Sequence, residues 1–244
     1  MKKDNHQHFV FSPGVILYPI FFVLSIWIVF WIEIKFNFNF NDWGINPGNL
    51  SGLKGIFSSP FIHSSLKHLF HNTIPLFILS MALFYFYRNI SWKILIYGVL
   101  LTGLLTWFIG RPANHIGASG IIYMLTGFLF FKGVFSGHYR LIALSLIVVF
   151  LYGGMIWYVF PNDPKISWEG HLSGLVVGFL LSLFYKNSLP EISKYEWEKA
   201  DYKEEQDPFM QYFDENGNFI ENNDSNETIE VSYTFKKDAE NIRK

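Results

Sequence analysis

Three short polar clusters interrupt otherwise apolar sequence, and their residue types point to acyl transfer. They are His68-Leu69-Phe70-His71-Asn72, Gly117-Ala118-Ser119-Gly120 and Gly170-His171-Leu172-Ser173-Gly174. A serine hydroxyl is a weak nucleophile at neutral pH, and a neutral imidazole within hydrogen-bond reach takes its proton as it attacks a carbonyl. Gly117 and Gly120 flank Ser119 and allow a tight loop-to-helix turn with close approach of a substrate backbone. A serine at a helix start also has unpaired backbone N–H groups beside it, ready for an oxyanion. His68 and Asn72 are four residues apart, so on a helix they share a face and can direct donors at the same oxyanion. No Asp or Glu is placed in these segments to complete a triad, Glu169 being the nearest, so the pattern favours a Ser–His dyad.

Taken singly, each cluster has a plainer explanation. Small residues such as those around Ser119, and Gly170, Gly174 and Gly178 at intervals of four, let membrane helices pack closely. His63, His68 and His71 are spaced compatibly with one metal site, but no HExxH or other ligand set with a general base accompanies them. We expect no metal and no cofactor. His63 and His71 suit a membrane interface, and His115 and His138 fall in links where no function is expected. The plainer explanations leave one thing over: all three clusters occur at equivalent depth in alternate helices.

That depth follows from the elements that carry them. A helix needs about 20 apolar residues to cross a bilayer, and six runs approach that length, at about 15–34, 67–87, 92–109, 117–131, 141–160 and 168–185. Spans two, four and six enter from one face, and each polar cluster sits at the start of one of them. The first run is too long and too aromatic for a cleavable signal segment and is read as retained. Lys and Arg near the span ends number seven on the side of the N-terminus and five on the other, which places both termini in the cytoplasm.

Composition agrees with this organisation. Half of the 244 residues are apolar, 20% are aromatic and only 16% are charged, which excludes an ordinary soluble enzyme. The formal net charge of −1 conceals a division at Pro190: 12 basic and 5 acidic side chains precede it, 7 basic and 15 acidic follow. We read a cytoplasmic segment at 1–14, an all-α membrane domain at 15–186 and an acidic, partly disordered cytoplasmic tail at 187–244. Within the tail, Asp214-Glu215-Asn216-Gly217 suits a small hairpin turn, and Ile229, Val231, Tyr233 and Phe235 alternate like a strand. The dispersed basic residues form no nucleic-acid footprint. Cysteine is absent, so disulfides and thiolate chemistry are excluded.

The ordered set of motifs resembles the rhomboid intramembrane serine proteases over roughly residues 57–185. The matching residues are His68 and Asn72 in the second span, Gly117, Ser119 and Gly120 opening the fourth, and His171 with Gly174 and Gly178 in the sixth. The resemblance implies Ser119 as nucleophile, His171 as general base, and His68, Asn72 and the Ser119 backbone N–H as the oxyanion hole. It also implies that Tyr123 packs against the catalytic histidine and that His63 is structural. Where members often carry Trp-Arg in the first loop, this chain has Lys54-Gly55, and Pro75 falls inside the second span. The implied architecture is the basic six-helix bacterial form in the plasma membrane, with no seventh span and no large N-terminal soluble domain. Its partners would be the lipid bilayer and transmembrane protein substrates, with a helix-destabilised segment and a small residue at the cleavage point. Two competing functions are a non-proteolytic rhomboid-like protein that escorts membrane clients and a small transporter using the intramembrane His and Asn. Relatives of the first kind typically lack the serine or histidine, and the second needs a polar path that the apolar inner halves of spans two, four and six do not offer.

Overall fold

The computed structural model describes residues 11–185 and, beyond them, 200, 202–203, 207, 209–214 and 216–220. The chain divides into two compact units, Met1–Ile192 and Ser193–Lys244. Among the described residues the first contains seven α-helices: α1 (Gly14–Phe36), the single turn α2 (Gly55–Ser58), α3 (Leu66–Phe86), α4 (Ser91–Ile109), α5 (Ser119–Phe135), α6 (Tyr139–Tyr152) and α7 (Trp168–Phe184). Among the described residues no strand forms, only isolated bridges.

Among the described residues four helical segments are long and apolar enough to cross a membrane: α1, α3, α4 and Tyr139–Val159. Apart from the single turn α2, the other helices, α5 and α7, are apolar but only 17 residues long. At 1.5 Å per residue each is about 25 Å in length, short of a hydrocarbon core of about 30 Å. The expected fifth span also differs: α6 ends at Tyr152, and Gly153–Val159 continues as a 3-10 helix. Gly153-Gly154 carries little helix propensity, so the ladder tightens there and swings the following carbonyls toward the neighbouring helices.

The core lies between α3, α5 and α7. Leu69, Leu79 and Leu83 of α3 and Ile122, Met124, Leu125, Phe128 and Leu129 of α5 are almost wholly buried. The most extensive packing joins α5 to α7. It requires backbone contact, because a Cβ at Gly174 would collide with Gly120 O and one at Gly178 with Met124 O. At the far end of the same pair the buried Lys132 amine donates to Tyr185 O, the residue capping α7, where a cation suits the negative end of the helix dipole. Helix α1 is fixed to α3 by Trp27 Nε1–H donating to Thr73 Oγ1 at 3.0 Å. Tyr18, Phe84 and Trp92 tie α1, α3 and α4 together, with ring centroids 4.9–5.4 Å apart.

The long link between α1 and α3 is ordered by close backbone approach. A Cβ at Gly55 would overlap the Gly44–Ile45 peptide, and the Lys54 ammonium sits 5.5 Å from the Trp43 ring centroid. The Lys54-Gly55 pair, where a Trp-Arg pair was the alternative, therefore folds this link on itself.

In the second unit, Asp214 N donates to Asn218 O and Ile220 N to Tyr212 O, at 2.9 and 2.7 Å, closing a small turn at the residues expected to form it. The alternation at Ile229–Phe235 lies outside the described residues.

Candidate functional site

Ser119 is the first residue of α5, with Ala118 as N-cap, so its N–H has no helical acceptor. Ser119 Oγ lies 2.9 Å from His171 Nε2, one turn into α7. On the other side of the imidazole, Nδ1 is 2.9 Å from Tyr158 O. A carbonyl oxygen can only accept, so Nδ1 carries the proton and Nε2 presents its lone pair to the serine hydroxyl. The Tyr123 ring stacks on the imidazole with centroids 4.2 Å apart and planes 12° off parallel. Its hydroxyl donates to Met155 O at 2.7 Å. The 3-10 helix Gly153–Val159 thus holds both rings through main-chain carbonyls.

Asn72 and His68 face the serine from α3. Asn72 is buried, and its Nδ2 has no hydrogen-bond partner, an arrangement that costs free energy unless a ligand oxygen arrives. His68 Nδ1 lies 3.3 Å from Ser64 Oγ; when it accepts that hydroxyl, Nε2–H is free to donate toward the serine. Gly117 has φ +106°, and a Cβ there would lie 2.8 Å from His68 Cε1 and Nε2. Only glycine allows both that backbone and that proximity. Gly117 N donates to Ser59 O at 2.8 Å, anchoring the turn to the link before α3.

Glu169 is buried but does not complete a triad. It pairs with Arg111, Nη1 to Oε1 at 3.6 Å, and Oε1 also accepts the Arg111 N–H at 3.3 Å. His115, for which no function was expected, is a buried bracket on the loop that leads into Ser119. It lies 2.5 Å from Ser167 Oγ and 3.1 Å from Arg111 O, and its backbone exchanges hydrogen bonds with Ile45 at 2.9 and 2.8 Å. Burial holds its imidazole below the usual histidine range, against the hydrogen bond to Arg111 O, which raises it. Its only sequence signal is a polar side chain two residues before Gly117.

These groups line one cavity of about 830 Å³, which includes His68, Asn72, Ser119, Tyr123, Tyr158 and His171. All the residues singled out in the sequence for the dyad and its oxyanion donors are brought together there. His71 reaches the cavity wall, whereas the His63 ring packs at a tilt against His68, centroids 5.0 Å apart, with its Nε2 buried and unpartnered. Among the described residues no group of three or more His, Asp or Glu side chains could hold a metal.

A family model described as the Rhomboid domain matches residues 50–188. The chain belongs to the rhomboid family. Similar curated proteins are uncharacterized proteins of Mycobacterium bovis and Mycobacterium tuberculosis, each 36% identical over 164 residues, or 61% of this chain and 65% of the relative. One from Mycobacterium leprae is 35% identical over 147 residues, 53% of this chain and 57% of the relative. The match thus spans less than two thirds of each relative's length. Family membership and the apolar helices identify a multi-pass membrane protein.

Proposed function

We propose that the chain is an intramembrane serine endopeptidase that cleaves transmembrane protein substrates with a Ser119–His171 dyad. The observation that carries this reading is the tautomer-fixed contact: a 2.9 Å approach of Ser119 Oγ to an imidazole whose other nitrogen is committed to Tyr158 O. Ser119 Oγ attacks the scissile carbonyl as His171 Nε2 takes its proton. Charge developing on the carbonyl oxygen is met by the Ser119 N–H, Asn72 Nδ2 and His68 Nε2–H. The imidazolium then protonates the leaving amine, and water entering through the cavity, activated by the same Nε2, hydrolyses the acyl-enzyme. Tyr123 keeps the ring flat against its own, so that Nε2 stays aimed through both half-reactions.

In this reading all six long helices cross the bilayer, α5 and α7 included, with both termini cytoplasmic in a bacterial plasma membrane. The short α5 and α7 leave the dyad below the exterior surface, at the floor of a cavity that admits water where irregular backbone and ionisable groups are tolerated. A substrate helix must unwind to expose a peptide bond there.

The test is reconstituted cleavage of a transmembrane substrate by wild type, Ser119→Ala and His171→Ala. Both variants should fold normally and lose essentially all turnover. Cleavage by purified Ser119→Ala, with contaminating proteases inhibited, would overturn the mechanism.

A further inference from the structure

Five basic residues lie on the face where α3, α5 and α7 begin: Lys35, Lys54, Lys67, Arg111 and Lys165. If that face is the exterior, they run against the tendency of Lys and Arg to remain cytoplasmic. Three of them, Lys67, Arg111 and Lys165, line the 830 Å³ cavity. Among the described residues no Asp or Glu lines it. The acids of this face are engaged elsewhere: Glu33 accepts from Phe40 N, Asp42 from Asn114 Nδ2, Asp163 from Lys165 N, and Glu169 pairs with Arg111. Arg111 is further committed to Pro164 O and Ile166 O at 2.7 and 2.9 Å. Lys67 and Lys165 are exposed, and among the described residues neither ammonium forms an ion pair.

The cavity therefore carries two lysines whose ammonium groups have no ion-pair partner among the described residues, one at the start of α3 and one in the link before α7. Lys67 immediately precedes His68 on α3, and Lys165 stands two residues before the Ser167 that His115 brackets. The geometry points to a specificity device: Lys67 and Lys165 select membrane-protein substrates with an acidic side chain within a few residues of the scissile bond. This rests on the proteolytic reading for its substrate, although the charge recognition itself does not require turnover. A carboxylate entering a concave, partly desolvated site meets a focused positive potential, whereas a substrate lysine at the same place is repelled.

The experiment uses the full chain in nanodiscs and one transmembrane peptide in which each of the three residues on either side of the scissile bond is replaced in turn by Asp, Asn or Lys. At one or more of these positions kcat/KM should run Asp above Asn above Lys, with Asp over Asn about fivefold, as for a partly solvated ion pair. In Lys67→Gln/Lys165→Gln the Asp-to-Asn ratio should fall to near one, and in Lys67→Glu/Lys165→Glu the order should reverse in favour of Lys. A reversed order cannot arise from damaged folding. Asp and Asn peptides cleaved alike at every position, or a preference that survives in both double variants, would overturn the inference. The same ratios, read as crosslinking of photoreactive peptides to Ser119→Ala, test charge recognition even if turnover proves independent of Ser119. In the last arm, phosphatidylglycerol replaces part of the phosphatidylcholine. Variants that alter only the response to this anionic lipid and leave the Asp-to-Asn ratio unchanged would assign the two lysines to headgroups and overturn the proposal.

Discussion

Asn72 shows how a buried, unsatisfied donor reads as readiness for a transition state. Its Nδ2 lacks a partner, and an oxyanion would supply one only as the carbonyl becomes tetrahedral. Asn72→Ala should therefore lower kcat more than it raises KM, by roughly 10²-fold or less because the Ser119 N–H and His68 remain; steady-state kinetics on one substrate separates the two. His63 acts on stability instead. Burial, then the adjacent His68, pushes its pKa down to about 4, partly opposed by the hydrogen bond to Phe61 O. The unfolded chain, with a histidine near 6.5, takes up that proton first, so the contribution is whole above about pH 6.5 and is lost as pH falls toward 4. Melting in detergent should show a lower Tm at pH 5 than at pH 7, with a smaller drop in His63→Gln. An equal drop in the variant would remove His63 from this role.

At the scale of elements, the dyad is a property of how α5 meets α7. Gly174 and Gly178 put the two backbones in contact, which fixes Ser119 and His171 at one depth without a covalent or ionic tie between them. Gly174→Leu should separate the helices by more than a hydrogen bond tolerates and, as overpacking, cost about 1–3 kcal/mol or more of stability. The expected result is loss of activity together with a lowered Tm, unlike Ser119→Ala, which leaves the Tm intact. What the sequence disclosed at this scale was the polar residue inside an apolar run: Ser119, His171, His68 and Asn72 were legible because a bilayer makes such residues costly. The carbonyls of Met155 and Tyr158 were not, since every residue has one and only the fold aims it. His115 was hidden because a link has no periodicity from which an inward-facing side chain stands out. The end of α6 was half-legible, as Gly153-Gly154 marks a weak helix without giving the direction of the chain beyond it.

For the whole molecule, the apolar surface matters as much as the core. Phe108, Phe150 and Phe184 are each at least 80% exposed, and aromatic area on that scale is stable only against lipid tails or another apolar partner. The orientation in the bilayer can be read directly because the chain has no cysteine. A thiol introduced by Asn89→Cys, between α3 and α4, should react with membrane-impermeant maleimide only after the cells are opened. One introduced by Asn162→Cys, before α7, should react in intact cells. The reverse pattern would invert the topology while leaving the co-located site as it is.

The 3-10 helix after α6 carries one more consequence. Because the imidazole leans on the carbonyl of Tyr158 and not on a carboxylate, the orienting atom is encoded by no codon in particular. An alanine scan across 153–159 would leave that oxygen in place at every position and report the segment as tolerant. Deleting a single residue there would turn the carbonyl away and release the ring. For genetics, the element that orients the imidazole is a length, and its lesions would be insertions and deletions more than missense changes.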